Sequence, residues 1–262
     1  MRRNDLAEAA VGALVEAVEI TPKPGLTDGR GPGVGPGCTD PATARWAAKA
    51  LYPGLTAMAA AARRGHAPGR ELRQELGEIG RATERTVRLA AGGASVHRGA
   101  VWALGLLVAA ATLEPDDPTG TAKSIAALND RNAPRRPTAG SGVASTYGAA
   151  GAKGEARAGF PHARRALSTL RSRRDDARPD ALIGIMSTLQ DTGPLHTAGP
   201  AGLRLVQSGA RAVLEAGGTG TEAGREAVAV LEADLRRHRI RPGGSEPLLA
   251  AALFLDRLGQ AR

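Results

Sequence analysis

Aromatic side chains are nearly absent from this chain: two Trp, two Tyr and two Phe, 2% of 262 residues. A core with so few rings must be built from Ala, Leu and Val, which let helices approach closely. The single cysteine, Cys38, excludes an internal disulfide framework and a cysteine-based zinc site. Long hydrophobic runs are missing too. The longest uncharged apolar stretch, residues 100–113, is too short to span a bilayer and reads as a buried helix. Glu8, Glu16 and Glu19 interrupt the only apolar stretch near the start, so no signal peptide is expected and the expected location is cytoplasmic. Runs of alternating β-branched residues are also lacking, which argues against a sheet.

What is present is a globular composition, 42% hydrophobic, with 35 glycines and a net charge of +9. A basic chain raises the prospect of nucleic acid. Its clusters (Arg63-Arg64, Arg135-Arg136, residues 171–174 and 236–241) have no aromatics beside them for base stacking, and no helix-turn-helix or zinc-finger pattern accompanies them. Solvated helix faces and loops account for most of these arginines. A polyphosphate-bearing substrate is the leading alternative.

The apolar periodicity is helical nearly throughout. Asn4 reads as the N-cap of a first helix, and Asp40 with Pro41 starts a second. Further helices are expected near residues 69–91, 96–113, 119–128, 179–189, 201–216, 221–237 and 247–258, with another after Phe160-Pro161 that includes Ser168 and Leu170. The expectation is one all-α domain spanning residues 1–262, about ten helices joined by long loops. Long connections inside a compact domain tend to carry function. Here they are TPKPGLTDG, GGASVHRG, GAKGEARAGFP, QDTGPLHTAG and RPGGSEP.

Each loop combines flexible or stiff backbone with polar side chains beside a helix start. Prolines flank Lys23 and restrict its ammonium, which suits a phosphate contact, with Asp28 as a magnesium ligand; an exposed lysine in a proline-rich turn is the plain alternative. Gly92 and Gly93 let backbone approach a ligand, and His97 and Arg98 add donors where a helix dipole favours an anion. An inter-helix turn with a satisfied histidine would look the same. Lys153, Glu155 and Arg157 fall within one helical turn, a cluster or a solvated face. Asp191 and His196 flank a Gly-Pro turn as an acid/base or metal-binding pair, or as unrelated neighbours. Ser245 reads as the N-cap of the last helix, with Glu246 and Pro247 in its first turn.

Taken in order, TPKPGL (21–26), AGG..HRGA..ALGLL (91–107), YG..GAKGEA..GFP (147–161), DT..LH..G (191–199) and PGGS..LLA..LFL (242–255) resemble the triphosphoribosyl-dephospho-CoA synthases. Those enzymes make the prosthetic-group precursor of citrate lyase and malonate decarboxylase. The resemblance implies an all-α enzyme that moves the triphosphoribosyl group of ATP to the 2′-hydroxyl of 3′-dephospho-CoA and releases adenine. It implies ATP with Mg2+, no nucleic acid or membrane partner, and a homodimer as the assembly to test. By the same resemblance Lys23, Gly25, Gly92, Gly93, His97, Arg98, Lys153, Gly154, Gly243, Gly244 and Ser245 bind substrate. Glu155, Asp191 and His196 are the catalytic candidates, and Asp28 and Glu155 hold the metal.

This chain also departs from the family pattern. Cys38 stands where a histidine precedes Asp40 by two residues, and Ser95 where an Asn precedes the motif histidine. Gly193 replaces the Asn after Asp-Thr, Thr138-Ala139-Gly140 replaces Ser-His-Gly, and Pro247 replaces an Asp. Two alternatives stay open beside the family reaction: a paralogue with another acceptor, and a non-catalytic nucleotide-binding or assembly protein. The retained Lys23, His97, Lys153, Glu155, Asp191 and His196 favour catalysis.

Overall fold

The structure, a computed structural model, describes residues 3–35, 38–65, 67–133, 139–172, 175 and 177–260. Arg135, Arg136, Thr138, Arg173 and Arg174 lie outside the described residues. Among the described residues there are thirteen helices and no strand, only an isolated bridge between Asp28 and Gly31. The all-α expectation therefore holds.

The hub is α5 (Arg98–Leu113), apolar on all sides and buried along nearly its whole length. Around it pack α1 (Arg3–Glu19), α3 (Tyr52–Gly65), α4 (Arg70–Ala90), α6 (Pro118–Ala127), α8 (Gly151–Arg157) and α13 (Ser245–Gln260). Small side chains allow this crowding: Ala100, Ala103, Gly105 and the alanines at 109–111 leave room for neighbouring backbones. Helix α2 (Pro41–Lys49) lies on α1 and α4; α9 (Pro161–Leu170) and α10 (Ala177–Met186) close over α13. Helices α11 (Thr192–Glu215) and α12 (Glu222–His238) form an outer pair, with α7 (Ala139–Tyr147) against α11. One core runs through α1, α3, α5, α9, α10 and α13, and a small satellite of Val143, Ala149, Leu195 and Leu203 sits under α7.

Several helix starts obey local chemistry. Asp40 accepts from Thr43 N–H at 2.9 Å, Asp117 from Gly120 N–H at 2.9 Å, and Thr221 Oγ1 from Gly224 N–H at 2.9 Å. Others differ from expectation. Helix α1 begins at Arg3, so Asn4 lies inside it instead of capping it. Residues 151–157 and 192–197, expected as loop, are helical. Helix α11 breaks at Ala198 and Gly199 (φ 60°, ψ −157°), because Pro200 has no N–H and its ring displaces the preceding turn. Helices α3 and α7 had no separate sequence signal. No single helix among the described residues is long and apolar enough to cross a membrane.

The α3–α4 contact depends on Gly54, where a Cβ would stand 2.9 Å from Thr83 Cβ on a buried, β-branched side chain. Gly54→Ala is expected to lower the urea midpoint by the equivalent of about 1–3 kcal/mol, outweighing alanine's better helix propensity.

Candidate functional site

The motif-bearing segments meet in one place. A Cβ on Gly99, in the first turn of α5, would stand 2.8 Å from Pro247 Cγ in the first turn of α13. Gly244 N–H, just before α13, donates to Asp191 Oδ2 at 2.8 Å, and Gly193 N–H donates to Asp191 Oδ1 at 2.9 Å at the start of α11. A Cβ on Gly151, the first residue of α8, would meet Thr192 Cγ2 at 3.3 Å. The circuit closes where Trp102 of α5 donates its indole N–H to Ala152 O of α8 at 3.1 Å. Four helix starts thus form a ring, α5 to α13 to α11 to α8 and back.

Beneath the ring lies a buried charge network. The Lys23 ammonium has no solvent exposure; it donates to Glu246 Oε2 at 2.5 Å and to Ala17 O at 2.8 Å. His97 donates from Nε2 to Ala44 O at 2.8 Å and turns Nδ1 toward Glu246 Oε1 at 3.6 Å. To do so it adopts a left-handed backbone (φ 56°), a strained state for a residue with a Cβ. Burial alone would raise the Glu246 carboxyl, yet the charge of Lys23 and the contacts of His97 outweigh it and hold the group far below its ordinary range. One carboxylate therefore joins the first loop, the start of α5 and the start of α13.

The first loop is fixed a second time. Asp28 accepts from Lys23 N–H at 3.0 Å and from Arg30 Nη2 at 2.6 Å. Its burial opposes ionisation, but the bonds from Arg30 prevail and lower its pKa. Gly25 donates its N–H to Glu232 Oε2 at 3.1 Å. Its φ is 71°, and a Cβ there would press to 3.0 Å on Leu235 and Pro242, so glycine is needed for both reasons.

The remaining candidates divide by exposure. Arg98 is half-exposed and sits 3.5 Å from Glu84. Lys153, His196, Gly92 and Gly93 are exposed, while Gly154 and Gly243 are partly so. Asp191 is buried, and that burial pushes its carboxyl up despite the N–H bonds from Gly193 and Gly244. Ser245 is fully buried, and among the described residues its Oγ has no hydrogen-bond partner, so it does not cap α13 as expected. Glu155 is buried at the start of α9, accepting His162 N–H at 2.8 Å and facing His162 Nδ1 at 2.7 Å. The site thus gathers Lys23, His97, Asp191 and Ser245 closely, with Glu155 one turn along α8 from the ring.

Neither carboxylate expected at the metal has a metal-like neighbourhood. Asp28 is taken up by Arg30, Glu155 by His162, and among the described residues no three His, Cys, Asp or Glu side chains gather in metal-binding geometry. These residues do not fit a resident metal ion. Sequence reasoning also missed three participants. Glu246 looked like an ordinary first-turn acid, because its partner Lys23 is 223 residues away. His162 gave no signal beyond its position directly after the GFP segment, and Glu232, inside α12, gave none.

The departures from the family pattern have local consequences. Gly193 admits no side chain, since a Cβ would stand 2.7 Å from Arg241 O. Pro247 makes the α5–α13 contact apolar, and Cys38 gives its thiol to Val34 O at 2.9 Å. Burial raises the Cys38 pKa. Ser95 is exposed, and Ala139 begins α7.

Residues 3–262 match the model of the ATP:dephospho-CoA triphosphoribosyl transferase family. A protein of Azotobacter vinelandii named "Probable 2-(5''-triphosphoribosyl)-3'-dephosphocoenzyme-A synthase" is 45% identical, over 96% of this chain and 90% of its own length. Proteins of the same name from Stutzerimonas stutzeri (44% identical, 98% and 92% covered) and Pseudomonas aeruginosa strain UCBPP-PA14 (44% identical, 97% and 90%) are similar throughout. No solved structure matches.

Glu246→Gln leaves the buried Lys23 charge unpaired and is expected to cost about 3–5 kcal/mol, read from urea unfolding, whereas Lys23→Met with Glu246→Leu recovers most of it. Because the folded pKa of Glu246 is lowered, its contribution is complete above the ordinary value of 4.5 and is lost as pH falls. The double variant is expected to lack that component of acid destabilisation.

Proposed function

Since this chain belongs to the ATP:dephospho-CoA triphosphoribosyl transferase family, we propose that the ring of helix starts is where the triphosphoribosyl group of ATP is held and transferred. The activity is that of the family: the triphosphoribosyl group passes to 3′-dephospho-CoA, and the atom balance releases adenine. The observation that carries the placement is the convergence of four motif segments on one ring, with the fifth, the first loop, tied beneath it through Lys23, though all are far apart in the chain.

A donor that keeps its triphosphate needs a site that binds many negative charges without cleaving them. The N-termini of α5 and α13, both long helices, offer outward N–H groups, and Gly92, Gly93, Gly243 and Gly244 leave their backbone approachable. The unpartnered Ser245 Oγ at α13 supports this reading, because a buried hydroxyl without an acceptor or donor calls for a ligand or an ordered water. Arg98 and Lys153, the exposed cations, take the phosphates, and Lys23 acts from beneath by holding Glu246 and the loop in place. Magnesium belongs to the substrate, carried on the phosphates of ATP.

Loss of adenine from C1′ leaves positive charge on the ribose, which a nearby carboxylate stabilises. Asp191, where the starts of α11 and α13 are tied together, is the carboxylate in our assignment, and its raised pKa also suits proton exchange with the leaving adenine. His196 lies on the short helical segment before the α11 break, exposed and able to exchange protons with solvent. Glu155 has both oxygens engaged by His162 and acts through that residue.

The test is release of free adenine from Mg-ATP, with and without 3′-dephospho-CoA, with mass spectrometry of the acceptor. Adenine together with triphosphoribosylated dephospho-CoA is expected; ATP binding without adenine release would overturn the assignment and favour a nucleotide-binding protein. Arg98→Ala and Lys153→Ala are each expected to raise the KM for ATP about 10- to 100-fold, the value of one charge-assisted hydrogen bond. Asp191→Asn is expected to lower kcat with ATP binding retained.

A further inference from the structure

His162 is the residue through which Glu155 acts, and the transfer as described gives its ring no step of its own. It is the second residue of α9, directly after Pro161, and Glu155 reaches it twice, at its backbone N–H and at its ring Nδ1. An ionised carboxylate only accepts, so Nδ1 carries the hydrogen and Nε2 is left as the acceptor of the ring. Among the described residues, Nε2 has no hydrogen-bond partner. The Glu155 side chain is 4% exposed and that of His162 is 18%. A buried carboxylate thus holds an imidazole that emerges at a surface, the arrangement by which a carboxylate orients a general base.

That surface is a groove of about 370 Å³ between α9 and α10, closed at one side by α11. Ala166, Ala181, Ile185 and Leu214 form its apolar walls; its polar lining includes Arg165, Thr188 and Asp180, whose carboxylate accepts from Thr219 N–H and Oγ1. Arg165 Nη1 donates to Thr188 Oγ1 at 3.2 Å, on the connection that leads from α10 into Asp191. Glu155 in turn is on α8, whose first residue touches Thr192. The groove therefore borders the connection that leads into Asp191. Its width is open at Gly184, where an added Cβ would meet nothing within 4 Å. An apolar trough with an arginine at its margin suits a long, largely uncharged arm attached to a phosphate, which is the shape of the acceptor and not of ATP.

We propose that His162, oriented by Glu155, is the base that takes the proton of the acceptor hydroxyl, and that the α9–α10 groove holds the pantetheine arm of dephospho-CoA. This rests on the transferase reading above and deepens it. The hydroxyl gives its proton to Nε2, its oxygen bonds to C1′ of the ATP ribose, and the C1′–N bond to adenine breaks with its electron pair going to adenine. Adenine gains a proton, and His162 returns its own to solvent, so one proton passes in net from hydroxyl to adenine. Glu155 is a positioning residue that keeps the ring in the productive tautomer.

Kinetics of His162→Ala test the base. Its kcat for product formation is expected to fall about 10²- to 10⁴-fold, with the KM for ATP and the thermal midpoint near those of wild type. Added imidazole is expected to restore part of the rate, which a merely structural role would not allow. If the alanine variant melts early, His162→Gln, which keeps a donor toward Glu155, carries the same comparison. Gly184→Leu tests the groove independently: the KM for dephospho-CoA is expected to rise about tenfold or more with ATP binding unchanged. Wild-type turnover together with an unimpaired His162→Ala overturns the base; an unchanged acceptor KM in Gly184→Leu overturns the groove. A wild-type protein that forms no triphosphoribosylated product removes the transferase reading itself.

Discussion

The rest of the structure depends on the ion pair between Lys23 and Glu246. Neither charge is tolerable alone in this interior, because water has been removed from both. Satisfying them draws the loop after α1 and the start of α13 together, and Glu246 then brings in His97 at the start of α5. Three segments from the two ends and the middle of the chain meet on one carboxylate. The hydrophobic packing of α1, α5 and α13 brings them near; the charges select the register. The left-handed backbone at His97 shows how firmly the register is held.

With that register set, the helix starts become neighbours. Asp191 adds the second tie, accepting N–H groups from both the α11 start and the loop before α13. The two carboxylates are shifted in opposite directions. Lys23 and His97 lower the pKa of Glu246 against its burial, whereas burial raises that of Asp191 against the N–H bonds of Gly193 and Gly244 and the charge of Arg241. A permanently charged pair is suited to holding parts in place, and in the proposed transfer a carboxyl with raised pKa is suited to exchanging a proton.

The departures from the family pattern fit the same geometry. At Gly193 there is no room for a Cβ against Arg241 O, so the loop before α13 lies closer than a larger residue would permit. Pro247 packs on Gly99 and makes that junction apolar. Both junctions are closely packed, and neither Gly193 nor Pro247 adds a polar side chain to them. The donors that remain are backbone N–H groups, the exposed Arg98 and Lys153, and the buried Ser245 hydroxyl.

By itself the sequence determined the helical class, most helix positions and the five motif segments, since helical periodicity, capping residues and Gly-Pro punctuation act over a few neighbours. Asp40 and Pro41 start α2 as local rules require. Local rules did not reach Tyr52–Gly65, where glycine and proline obscure the period, or the helical start of α11, where Pro200 and Gly199 suggested a loop. Only tertiary structure decided that Glu246 partners Lys23, that Glu155 serves His162, and that Lys23 is buried instead of facing solvent. Those outcomes depend on which charges lose water together, and that is settled by packing between residues distant in the chain.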